Sequence, residues 1–125
     1  MSFTYEWKIP NRLIYIVISG DISAADIKES DERLHQMIES GEAPVHIMAD
    51  LSQIGKVNVH PRDAIKHTSY VNHPKFGRVT IVGASALVKF FVTVVRSVAP
   101  TKFDTANDLQ AGMDKLFSRD ETLSA

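Results

Sequence analysis

The sequence predicts an α/β fold, a mixed and mostly parallel sheet built in the order β-β-α-β-α-β-α-β-α. Three observations predict it. Apolar, β-branched runs at 13–18, 45–49 and 78–82 are too short for helices and are bounded by turn residues. Stretches with apolar residues at helical spacing lie between them. Strands that alternate with helices need crossover connections, and these join parallel strands in a right-handed sense.

Residues 3–9 alternate, with Phe3, Tyr5 and Trp7 on one side and Thr4, Glu6 and Lys8 on the other, which predicts a strand with one apolar face. Pro10-Asn11 turns the chain. Residues 13–18 return as a strand dense enough to be buried on both faces, and Gly20-Asp21 reads as its end. Ser23 with Asp26 is a capping-box pattern. The helix it opens has Ile27, Leu34, Met37 and Ile38 as an apolar stripe and Gly41 as its stop. Residues 45–49 form a short buried strand and 53–58 a loop. Pro61 suits the first turn of a second helix, expected to run to about Val71 and to end before His73-Pro74. Residues 78–82 form a strand closed by Gly83, and Ser85 caps a third helix over 86–98, broken by Pro100. Lys102-Phe103 is a short strand. Thr105 with Asp108 reads as a second capping box, opening a helix that carries Leu109, Met113 and Leu116. From Ser118 the chain is expected to fray.

The 125 residues read as one domain, 1–125, large enough to bury a core without a metal or disulfide staple. The lack of cysteine excludes disulfides, thiol catalysis and cysteine-ligated zinc or iron–sulfur clusters. Residues 1–7 have no basic start leading into an apolar run, so they do not read as a signal peptide. The most apolar stretch, 84–98, contains Lys89 and Arg96 and is too short to cross a bilayer. The protein is therefore read as cytoplasmic, without stable membrane insertion. A net charge of −1 hides a partition. Residues 1–50 hold nine acids and four bases, whereas 51–103 hold eight bases and one acid, Asp63. That block predicts a positive surface for an anionic ligand or partner. No aromatic pattern is interleaved with the bases, so nucleic acid is not the expected partner.

Three short motifs carry a family resemblance. They are Ile18-Ser19-Gly20-Asp21-Ile22, Ala49-Asp50-Leu51-Ser52-Gln53-Ile54, and Lys102-Phe103-Asp104-Thr105 leading to Ala111. With the element order, these resemble the STAS domain of anti-sigma-factor antagonists, and 73–83 resembles a SpoIIAA-like branch of uncharacterised bacterial proteins. The resemblance implies a STAS/SpoIIAA-like fold and a role in protein binding. In the antagonists a phosphorylatable serine sits in a D-S-S-G tetrapeptide opening the helix after the second motif. Ungapped counting brings that tetrapeptide onto Asn58-Val59-His60-Pro61, and Val59, which cannot accept phosphate, takes the serine's place. The usual phosphorylation switch is therefore not expected.

Open parallel sheets bind ligands at the carboxyl ends of their strands. The order places Asp21, Asp50, Ser52, Ser85 and Asp104 there. Each also suits a cap or turn, and no base accompanies them, so no catalytic residue and no cofactor is assigned. His60 and His67 stand about two turns apart on the second helix, too far to share a metal ion, and His73 lies beyond it; no metal site is assigned. His60 with Asp63 reads equally as an acid–base pair or a helix-start hydrogen bond. Gly83-Ala84-Ser85-Ala86 completes neither a nucleophile elbow nor a phosphate loop, though amides opening the next helix suit an anion.

The helix over 86–98 is the strongest clue. Leu87, Val88, Phe90, Phe91, Val92, Val94, Val95 and Val98 populate almost every direction about its axis, where a helix covering one sheet face needs only a stripe. Phe90 and Phe91 project in adjacent directions, one expected inward and one outward. The leading expectation is a non-enzymatic binding domain that engages a protein partner and forms a homodimer through this helix. The alternative is a carrier or sensor of a small apolar or amphiphilic, lipid-like anion, in a pocket beside the helix rimmed by Lys89, Arg96 and His60. Residues assigned to partner or ligand binding are Asp50, Ser52, His60, Ser85, Lys89, Phe90, Phe91, Val94 and Arg96.

Overall fold

A computed structural model describes residues 2–83 and 87–124. Strands β1 (Ser2–Ile9), β2 (Leu13–Ser23), β3 (Val45–Asn58), β4 (Phe76–Val82) and β5 (Phe103–Ala106) form one sheet in chain order. β1 and β2 are antiparallel, and the other three pairings are parallel. Helices α1 (Ala24–Ser40), α2 (Pro61–Lys66) and α3 (Val88–Val98) lie in the crossovers, and α4 (Leu109–Arg119) follows β5. This is the expected order and the expected mixed sheet.

The pleat divides the core between two faces. Ile14, Ile16 and Ile18 of β2, with Ile47 of β3 and Val79 and Ile81 of β4, face Leu34 and Ile38 of α1 and Val95 of α3. Leu13, Met48, Val82 and Ala106 take the opposite face, under Leu116 of α4. At the opening turn Asn11 adopts a φ of 64°, a left-handed geometry that asparagine tolerates better than most residues. The Ser23–Asp26 capping box forms as expected: the Asp26 carboxylate accepts from the Ser23 amide at 2.8 Å, and the Ser23 hydroxyl accepts from the Asp26 amide at 3.4 Å.

Several boundaries differ from expectation. β2 does not end at Gly20-Asp21, and 53–58 is not a loop. Both strands continue as a paired arm, with Ser19, Gly20, Ile22 and Ser23 opposite Gln53, Ile54, Val57 and Asn58. Gly20 takes a φ of 75° and register shifts flank it, so the strand bends where a stop was expected. The bend seats Ile22, 1 % exposed, in the core. α2 stops at Lys66 rather than near Val71. The Thr68 hydroxyl donates to the Ala64 carbonyl at 2.8 Å, and a separate 3-10 turn, Ser69–Asn72, then brings Val71 to the core. Asp31 of α1 fixes that turn, accepting from the Tyr70 amide at 2.9 Å and the Ser69 hydroxyl at 2.7 Å.

Thr105 is not a cap. It lies within β5, and Asp108 is itself the N-cap of α4, accepting from the Ala111 amide at 2.8 Å. The chain end is anchored where fraying was expected. Ser118 and Arg119 complete α4, and a 3-10 turn, Glu121–Ser124, follows. Between them Asp120 accepts from the Arg12 guanidinium at 2.9 Å and pairs with His46 at 2.8 Å.

Candidate functional site

At the carboxyl edge the structure brings Asp50 and Ser52 together and adds residues the sequence reading missed. Asp50 ends the part of β3 that pairs with β4. Its carboxylate accepts from the Tyr15 phenol at 2.5 Å and the Ser52 amide at 2.9 Å. Burial alone would raise the Asp50 carboxyl, but these bonds outweigh it and hold the group below its ordinary value. The Tyr15 phenol is pushed up to about 12, first by burial and then by Asp50. Near neutrality the pair is a carboxylate and a protonated phenol, each already occupied by the other. An open cleft of about 390 Å³ lies beside them, walled by Asp50, Ser52, Val82, Gly83, Asn107, Asp108 and Leu109. Asn107 and Asp108 reach it because α4 starts directly after β5; the signal in the sequence was the Asp108 cap, misread as the far end of a box.

Two of the expected edge residues are elsewhere. Asp21 sits on the paired arm, where it accepts from the Lys56 amide at 2.8 Å. Asp104 lies opposite Thr80, two rungs short of the edge, bridging Arg78 at 3.2 Å and Arg119 at 3.0 Å. Ser85 falls outside the described residues.

His60 is the N-cap of α2. Its ring accepts from the Arg62 amide at 3.1 Å, while Asp63 faces Lys66 at 3.9 Å, so the structure forms the helix-start bond and not a His60–Asp63 pair. Three other histidines have a carboxylate nearby: His46 meets Asp120 at 2.8 Å, His73 meets Glu39 at 2.6 Å, and His35 bonds the Ser69 hydroxyl at 2.9 Å beside Asp31.

α3 is less uniform than its composition suggested. Val94 and Val95 are buried, and Val88, Phe91, Val92 and Val98 pack partly buried on the same core. Lys89, Thr93, Arg96 and Ser97 are exposed, one polar stripe at helical spacing. Phe90 and Phe91 meet edge to face at 5.2 Å, and both line a partly open cavity against the sheet, so the expected outward phenylalanine is not found. That cavity, about 70 Å³, lies between the sheet and α1, α2 and α3, with Val94 and Val95 completing its α3 wall. Its polar groups are Ser30, Asp31, His67, Thr68 and Tyr70; Lys89, Arg96 and His60 are not among its walls. Arg96 instead lies over the Phe103 ring, 5.9 Å from its centre. The exposed residues of α2 are Arg62 and Lys66, so the basic block of the sequence emerges on two helices in contact with each other.

Residues 13–118 match the family model described as SpoIIAA-like. The chain belongs to the SpoIIAA-like family. No curated protein matches its sequence. Among solved structures, an uncharacterised DUF3478 protein with a SpoIIAA-like fold from Shewanella loihica PV-4 superposes with a TM-score of 0.64 at 16 % identity, over 92 % of each chain. The anti-sigma factor antagonist SpoIIAA in its unphosphorylated form gives 0.57 at 11 % identity, covering 96 % of this chain and 98 % of that one. The Bacillus cell fate determinant SpoIIAA in its phosphorylated form gives 0.57 at 12 %, covering 92 % and 99 %. These likenesses fix the fold. In this SpoIIAA-like chain the junction from β3 into α2 carries no Ser, Thr or Tyr from 53 to 67. Val59 stands there immediately before the His60 cap. Among the described residues no helix is long and apolar enough to cross a membrane.

Proposed function

We propose that this chain is a cytoplasmic, non-enzymatic protein-binding domain whose engagement is not switched by serine phosphorylation. The β3–α2 junction carries the reading. Its valine takes the antagonists' serine position, and the first hydroxyl beyond it, Thr68, is buried with its proton given to the Ala64 carbonyl. SpoIIAA-like domains generally act in protein interaction and regulation, which supports a binding role. Charge indicates the partner's chemistry. Arg62, Lys66, Lys89 and Arg96 are exposed on α2 and α3 and suit an acidic protein surface, with His60 at the start of α2 as a further contact.

Affinity capture with the native chain and with the Arg62→Glu/Lys66→Glu variant tests this, before and after treatment with a serine kinase. The expected result is one protein retained by the native chain, absent from the variant, and unaffected by the kinase. Retention by both chains, or release on serine phosphorylation, overturns the reading.

A second reading, a carrier of a small apolar ligand, is favoured by the cavity behind Phe90 and Phe91. Its size ranks it second: about 70 Å³ is roughly half of a cavity known to admit benzene, and an acyl chain is far larger. The Asp31 carboxylate in its wall also opposes an anionic head group. Native mass spectrometry showing a retained apolar mass would reverse the ranking. A homodimer through α3, the other expectation, loses its motive in the polar stripe of Lys89, Thr93, Arg96 and Ser97.

A further inference from the structure

We propose that the cavity between the sheet and α1, α2 and α3 binds the ammonium end of a small primary alkylamine, with Asp31 as its counterion. The α1 wall of that cavity is Ile27, Ser30, Asp31 and Leu34, one inward stripe at helical spacing. A carboxylate thus stands where the stripe calls for an apolar side chain. Asp31 is 8 % exposed, and aspartate is rarely buried so deeply unless it is paired. Among the described residues no lysine or arginine pairs with it. The His35 ring, 3.8 Å away, bonds the Ser69 hydroxyl and is 40 % exposed. The bonds that Asp31 accepts from the Tyr70 amide and the Ser69 hydroxyl hold the 3-10 turn. They need acceptor oxygens and leave the negative charge without a use.

The rest of the wall selects the same ligand. Its other polar side chains are Ser30, His67, Thr68 and Tyr70, each able to accept a hydrogen bond and none carrying a fixed positive charge. The Tyr70 hydroxyl and the His67 ring have no hydrogen-bond partner among the described residues. An ammonium, which only donates, meets such a set. The rings of Phe3, Tyr70, Phe90 and Phe91 also line the cavity, and aromatic faces attract an organic cation. Size limits the ligand. At about 70 Å³ the cavity has roughly half the volume that admits benzene, room for about three non-hydrogen atoms. Ethylammonium meets that limit, and because the cavity is partly open a longer chain can extend outward. The inference rests on neither reading above: the exposed cations of α2 and α3 are not in this wall, and an apolar ligand would leave the Asp31 charge unmet.

Titration of the full chain with ethylammonium, followed in proton–nitrogen amide spectra at neutral pH and constant ionic strength, tests the site. The Tyr70 amide, bonded to Asp31, is the direct reporter. So small a ligand supports a dissociation constant of about 1 mM, and saturable shifts at Tyr70 are expected in that range. Ethanol, the neutral counterpart, is expected to leave Tyr70 unmoved. Asp31→Asn, which keeps an oxygen for the turn but loses the charge, is expected to weaken binding about tenfold or more. Phe90→Leu, which removes a ring and stays apolar, is expected to weaken it about threefold. An equal response to ethanol, or shifts confined to the surroundings of the exposed Glu29 and Glu32, overturns the proposal. So does an affinity unchanged in Asp31→Asn. If that variant loses its folded spectrum, Phe90→Leu decides, and an affinity unchanged there overturns the proposal instead.

Discussion

At His46 a buried imidazole uses both nitrogens. Nδ1 accepts from the Arg78 amide at 3.0 Å, which places the proton on Nε2, and Nε2 donates to Asp120 at 2.8 Å. Burial lowers the His46 pKa, and the partly compensating Asp120 carboxylate does not restore it. The unfolded chain therefore takes up this proton at a higher pH than the folded one. Stability from His46 is complete above its ordinary value of 6.5 and drains away as pH falls toward the depressed folded value. Protonation also removes the acceptor that Arg78 needs. The native chain is expected to lose denaturation free energy as pH falls through and below 6.5, and His46→Gln, which keeps an acceptor and a donor but cannot charge, to flatten that limb. A limb that persists in His46→Gln assigns it to another group. For Asp120, burial alone would raise the carboxyl, but bonds from Thr122 and His46 outweigh it and bring the group to about 2, so its contribution is lost only as pH falls below 3.8. None of this was legible in the sequence. His46 and Asp120 lie 74 residues apart, each ordinary in its own neighbourhood, and only the sheet's amino edge brings them together.

Among the elements, the arm formed by β2 and β3 shows why strand ends were the weakest part of the sequence reading. Gly20-Asp21 carries the residues of a stop, yet a glycine at a φ of 75° serves a bulge as well as a turn. Beyond it Ile22, Ile54 and Val57 lack the dense apolar run that marked 13–18. The pairing partner, not the local pattern, decides the outcome. At Gly55 the two strands leave no room for a side chain: a methyl group there would stand 3.0 Å from the Gly20 carbonyl carbon and collide with the Asp21 carboxylate. Gly55→Ala is expected to cost about 1–3 kcal/mol, as overpacking does. It should also free the Lys56 amide, now bonded to Asp21 at 2.8 Å, to exchange its hydrogen faster. Unchanged stability and exchange would show that the arm tolerates separation. On α3 the miss was of another kind. The stripe of Lys89, Thr93, Arg96 and Ser97 was present in the sequence, but counting apolar directions concealed it. The capping box at Ser23 and Asp26 was read correctly, because its chemistry closes within four residues.

For the whole molecule, the sequence made the layer order legible, since alternating short apolar runs and amphipathic segments admit few arrangements. It left open where the apolar surface of α3 goes. Composition suggested an outer contact; the structure turns Phe90, Phe91, Val94 and Val95 toward the sheet and sets the cations outward. If α3 is a wall of the core, Phe91→Glu places a carboxylate in the apolar cavity that Ile16, Val79 and Ile81 also line, and desolvation adds to lost packing. The expected cost is about 3 kcal/mol or more, read as a lower urea midpoint. The molecular mass of the folded fraction should match that of the native chain, because the substitution then alters an interior contact and not a face between copies. If α3 were an intersubunit face, the same substitution would leave the midpoint near its native value and reduce the mass to that of one chain. Measured together, midpoint and mass therefore separate a helix that holds the core from one that holds a partner.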